Sequence, residues 1–64
     1  MIQLHLYNVN NVRVATHNCY SILAAHVTLE YLAAEGRWCR IDFIDFDTGK
    51  LLYTWVRPII EERD

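Results

Sequence analysis

Residues 19–36 read CYSILAAHVTLEYLAAEG, and this stretch decides the fold. It is rich in Ala and Leu, contains no Pro, and has no Gly before Gly36. Such a run favours a helix, and glycine just past the last turn takes the left-handed conformation that ends one. The spacing predicts one helix over 19–35, with Asn18 or Thr16 capping its first turn through a side-chain oxygen. At 100° per residue, Ile22, Ala25, Leu29, Leu32 and Ala33 share one flank. Tyr20, Leu23, Val27, Tyr31 and Ala34 share the opposite flank. Two polar seams separate them, one of Ser21, Thr28 and Glu35, the other of Cys19, His26 and Glu30. A surface helix normally has one apolar stripe. This one has two, so one can lie on a sheet and the other needs a cover.

The period changes on both sides of the helix. Upstream, Ile2, Leu4 and Leu6 alternate with Gln3, His5 and Tyr7, the pattern of a half-buried strand. Asn8-Val9-Asn10-Asn11 reads as a turn, because asparagine tolerates left-handed backbone and bonds to its own chain. Val12 to Thr16 resumes the alternation with Val12 and Val14 inward, so residues 1–16 form a hairpin. Downstream, 37–58 reads as a second hairpin, with strands Trp38–Phe46 and Leu51–Arg57. Asp47-Thr48-Gly49-Lys50 is its turn, the aspartate opening it and the glycine supplying positive φ. Cys39, Ile41 and Phe43 fall on one face, Trp38, Ile44 and Phe46 on the other. A bulge near Phe43-Ile44 reconciles the two halves, and so does burial of both faces. Pro58 stops the strand, and 59–64 is a short charged tail.

The order is ββαββ, a single α+β domain spanning 1–64. The expected architecture is a four-stranded antiparallel sheet with the helix packed across one face. Its expected core is Ile2, Leu4, Leu6, Val12, Val14, Ile22, Leu29, Ile41 and Phe43. The other sheet face is expected to carry large aromatics drawn from Tyr7, Trp38, Tyr53 and Trp55, a candidate interaction surface.

Composition bounds the function. The chain has 64 residues, a net charge of −2 and 53% hydrophobic residues. A domain this short buries only about 60% of the surface its unfolded chain exposes, so its core is marginal. No apolar run approaches the about 20 residues of a membrane span. The start of the chain alternates instead of forming the apolar stretch of a secretory signal, which points to a cytoplasmic protein with Cys19 and Cys39 reduced. In size and strand–helix–strand make-up the chain resembles the small regulators encoded by bacteriophages and other mobile elements. No motif carries that resemblance, and no residue role is transferred from it.

Three side-chain sets were weighed for chemistry. His17, Cys19, Cys39 and His26 are zinc-ligand types, but they lack the close Cys pairs and His pairs of structural zinc sites, so they read as a turn histidine and small buried thiols. Asp42, Asp45 and Asp47 read as strand-edge charges and a turn aspartate. His26 and Glu30 have the spacing of an ordinary helix side-chain pair. Ser21 is not flanked by glycine as a nucleophile elbow is, and the two glycines form no phosphate loop. No catalytic group, metal or cofactor is therefore expected.

The leading expectation is a non-enzymatic interaction or regulatory module that binds another protein or itself. As a homodimer it would use Tyr20, Val27 and Tyr31 if the helix is the interface, or Trp38, Tyr53 and Trp55 if the sheet is. The alternative is a nucleic-acid module, with Arg37, Arg40, Lys50 and Arg57 beside Trp38, Tyr53 and Trp55 as a stacking platform. The disposition of the arginines discriminates between them. Arg40 and Arg57 sharing a face with Trp55 favours the platform; their splaying to opposite faces, or pairing with Asp42 and Asp45, disfavours it.

Overall fold

A computed structural model describes residues 1–58; the expected charged tail lies outside the described residues. The chain folds as β1 (Ile2–Tyr7), β2 (Arg13–Cys19), α1 (Ile22–Glu35), β3 (Arg40–Asp45) and β4 (Leu51–Val56). The strands form one antiparallel sheet in the order β2-β1-β3-β4. This is the expected ββαββ arrangement, with the two hairpins joined through β1 and β3 at the centre.

The turns follow from their side chains. Asn8 Oδ1 accepts from the backbone N–H groups of Asn10 (2.9 Å) and Val12 (3.1 Å). Asn11 takes φ 62°, a conformation asparagine tolerates. In the second turn Gly49 takes φ 73° and donates to the Asp45 carbonyl at 2.7 Å. The aspartate that opens this turn is Asp45, not Asp47: its Oδ1 accepts from the Asp47 N–H at 2.9 Å. The expected bulge occurs where β3 pairs β4, between Phe43 and Ile44, but the extra residue is Leu52 on β4.

The helix begins three residues later than expected. β2 runs on to Cys19, so Asn18 and Thr16 are strand residues. Ser21 is the N-cap, its Oγ accepting from the Ala24 N–H at 3.1 Å. Gly36, at φ 76°, ends the helix as expected.

The core comprises Ile2, Leu4, Leu6, Cys19, Ala25, Leu29, Trp38, Ile41 and Phe43. Val12, Val14 and Ile22 were expected there and are exposed. The register of β2 explains the valines. A bulge sets Ala15 opposite Leu6 and Cys19 opposite Ile2, so Val14 becomes the extra residue and Val12 stays in the turn. Ala15 and Cys19 are small, which lets α1 approach β1 and β2 closely enough to bury Ala25 completely. Ile22, in the first turn after the cap, lies beyond the edge of this contact.

The aromatics also depart from expectation. Trp38 is only 8% exposed. It precedes β3, so strand alternation does not place it on the open face. It folds into the core, with its indole N–H donating to Glu35 Oε2 at 3.4 Å. Tyr53 and Trp55 pair with Phe43 and Ile41, which face the helix, and so they share the helix side of the sheet. Of the four expected open-face aromatics, only Tyr7 is there.

Candidate interaction surfaces

The open face of the sheet is polar. The registers place Gln3, His5 and Tyr7 of β1 beside Asn18, Thr16 and Arg13 of β2 and Ile44, Asp42 and Arg40 of β3. Several of these groups bond to one another, although the buried Arg40 Nε finds no partner among the described residues. Arg13 Nη1 lies 3.2 Å from His5 Nδ1, and His5 Nε2 lies 2.7 Å from Gln3 Oε1. A guanidinium can only donate, so Nδ1 accepts and Nε2 carries the proton it gives to Gln3. Gln3 Nε2 in turn donates to Asn18 Oδ1 at 3.3 Å. The chain of bonds needs a neutral imidazole. Burial lowers the His5 pKa below its ordinary 6.5, the Arg13 charge lowers it further, and Asp42 opposes both.

Arg40 belongs to the same face. Its guanidinium lies over the Tyr7 ring at 3.8 Å, pairs with Asp42 Oδ2 at 3.4 Å and donates to Asn11 Oδ1 at 2.8 Å. Thr54 donates to the other Asp42 oxygen at 3.1 Å. Arg57 lies on the opposite side of the sheet. Its Nε donates to the Trp38 carbonyl at 2.8 Å and its Nη2 to the Ala33 carbonyl at 2.9 Å, with the Trp55 ring 5.1 Å away. Arg37 lies over Trp38 at 5.0 Å, and Lys50 sits beyond the second turn. Arg57 thus shares the helix side with Trp55 while Arg40 pairs with Asp42 on the open face, so the two splay to opposite faces, and both are engaged in holding the fold. This disposition weighs against the stacking platform.

The remaining sets are likewise separated. Cys19 and Cys39 are free thiols, and Cys19 Sγ donates to Thr28 Oγ1 at 3.7 Å. His26 is turned onto Phe43 (centroids 4.9 Å) and Tyr53 (5.4 Å), while Glu30 is exposed on the helix. Asp42 is held on the sheet face and Asp45 in the turn. Among the described residues no three metal-ligating side chains gather.

The second helix flank is uncovered. Leu23 is 72% and Tyr31 73% exposed, with Val27 and Ala34 also at the surface; Tyr20, expected on this flank, precedes the N-cap Ser21 and so lies outside the helix, 91% exposed. The other flank meets the sheet through Ala25 and Leu29. Sequence periodicity thus separates the covered flank from the free one, apart from Ile22. It missed the His5 network, whose members come from two strands and are linked only by register, and it missed the edge formed by β4. The signal for that edge was on the page: LLYTWV carries no charge and no proline.

The chain matches no family model, no curated protein and no solved structure. No helix among the described residues is long and apolar enough to cross a membrane.

Proposed function

We propose that this domain is a protein-interaction module that acts by occupying a surface of another protein with the outward flank of α1. The observation that carries the proposal is the exposure of Leu23, Val27 and Tyr31, at successive i+4 spacing along one side of a helix whose other side is already packed, with Tyr20 exposed just ahead of the N-cap. Leaving large apolar side chains in water forgoes about 1.5–3 kcal/mol for each that a partner would bury fully. Anchors at helical spacing are what a groove on a partner reads, and tyrosine is enriched among the residues that dominate such interfaces. A regulatory role follows if the covered surface is one the partner needs.

The test is affinity capture from lysate of the native host with the wild-type domain and with a Leu23→Glu/Tyr31→Glu variant. Both positions are exposed, so far-UV circular dichroism of the variant should match the wild type. Proteins retained by the wild type should be lost from the variant. Retention of the same proteins by both would refute this use of the flank.

A further inference from the structure

The sheet has two edges, and they differ. β2 carries Arg13 and His17 and is bulged at Val14, all devices that discourage further pairing. β4 is Leu-Leu-Tyr-Thr-Trp-Val, with no charge along its length and most of it exposed. Its hydrogen-bonding parity can be read from the flanking bonds. Asp45 N–H donates to the Lys50 carbonyl (2.8 Å), so the odd-numbered residues of β3 bond toward β4; Cys39, just ahead of β3, is split, its carbonyl accepting from Arg57 N–H (3.0 Å) and its N–H donating to the Tyr7 carbonyl (2.9 Å). Phe46 N–H donates to the Met1 carbonyl (3.0 Å), so the even-numbered ones bond toward β1. With Ile41 opposite Trp55 and Phe43 opposite Tyr53, the backbone groups of Tyr53 and Trp55 are used within the sheet. Those of Thr54 and Val56 point away from it, and the regular alternation ends at the bulge residue Leu52. Among the described residues nothing pairs with them.

We infer that β4 pairs antiparallel with β4 of a second copy, across a two-fold axis at Thr54, to make one continuous eight-stranded sheet. The occupant follows from the edge. Outward N–H and C=O groups at every second residue are completed by another extended backbone. A two-fold axis normal to the sheet puts residues of equal parity opposite each other and the two helix-bearing faces on the same side. Centred on Thr54, this register sets the outward groups of Thr54 against those of the partner copy's Thr54, with Val56 opposite the bulge residue Leu52. Tyr53 then stands opposite the partner copy's Trp55, in positions whose Cα atoms lie about 4.5 Å apart, where aromatic cross-strand pairs interact best. No like charges meet: Arg57 falls opposite Leu51, and Lys50 opposite Pro58. The helix backbone lies nearest β1 and β2; it reaches toward β4 through His26 against Tyr53, and the Ala33 carbonyl holds Arg57 just beyond the strand, contacts on the sheet face that leave the outward backbone groups of β4 open to approach. None of this uses the outward helix flank, so the dimer and the binding of a different protein are compatible and can fail separately.

The experiment combines light scattering with residue-resolved amide exchange by NMR on the full chain. The expected mass is twice 7.6 kDa, falling toward 7.6 kDa across about a hundredfold dilution. The amides of Thr54 and Val56 should exchange at least about tenfold more slowly in the concentrated sample, while Tyr53, Trp55 and Arg57 stay protected at both concentrations. Thr54→Lys places two ammonium groups at the axis and keeps a partner in Asp42. It should weaken the dimer at least about tenfold without exposing the Tyr53 and Trp55 amides. If this variant unfolds, amide exchange of the wild type alone decides. A 7.6 kDa mass at the highest concentration, a dimer with Thr54 and Val56 unprotected, open-ended assemblies, or a Thr54→Lys dimer of unchanged strength would each overturn the inference.

Discussion

Arg57 is the residue whose replacement should cost most for its position near a strand end. Its guanidinium ties three parts of the chain together: β4, the Trp38 carbonyl ahead of β3, and the Ala33 carbonyl of α1. Ala33 lies among the last four helix residues, whose carbonyls lack an intrahelical partner, and a cation there also meets the negative end of the helix. A hydrogen bond from a charged donor contributes about 1.5–3 kcal/mol. Arg57 is half-buried, which puts each of its two bonds at the low end, so Arg57→Ala should cost about 2–4 kcal/mol. At about 0.05–0.15 kcal/mol per residue, a chain of this length has roughly 3–10 kcal/mol in total. The substitution should therefore remove a fifth or more of the stability and lower the melting temperature by about 15–30 °C. Arg57→Lys keeps the charge but lacks the fork that reaches two carbonyls, and should cost about half as much. Urea unfolding followed by the fluorescence of Trp38 and Trp55 measures both. A loss below about 0.5 kcal/mol for Arg57→Ala, the range of an ordinary surface change, would refute the structural role and return Arg57 to the list of candidate contact residues.

Ser21→Ala removes the helix N-cap and should cost about 1 kcal/mol in the same assay, whereas Ser21→Asp should be nearly neutral, since aspartate caps as well. His5 has a folded pKa below 6.5 because burial and Arg13 disfavour its cation, so the unfolded chain binds the proton more readily. Stability should then be full above about pH 6.5, fall as the pH drops below it, and level off below the folded pKa. An NMR titration of the His5 ring should give a midpoint below 6.5, and His5→Gln should flatten that part of the stability profile. Cys19 and Cys39 are free thiols, so the melting temperature should not change with added reductant. A thiol reagent should find two reactive groups only after unfolding, Cys19 being buried.

The sequence by itself determined the elements and their order. Period-2 alternation in Ile2–Tyr7, the Ala- and Leu-rich run closed by Gly36, and the Asn and Asp-Gly turns are local signals. Each acts through backbone preference within a few residues, and each element appears within three residues of where those signals lie, the start of α1 and the end of β2 being displaced most. The two helix flanks were legible for the same reason, because 100° per residue is a property of the helix alone. Tertiary structure decided everything that depends on register and on which strand lies beside which. A one-residue shift in β2 turned Val14 out and Ala15 in, since successive strand residues point to opposite faces. Pairing of β4 with β3 set Tyr53 and Trp55 on the helix side, and so emptied the expected aromatic face. Trp38 was misplaced by reading alternation past the end of a strand. Arg57 and His5 act through partners 24 and 8 residues away in sequence, Ala33 and Arg13, and such contacts exist only once the sheet has closed.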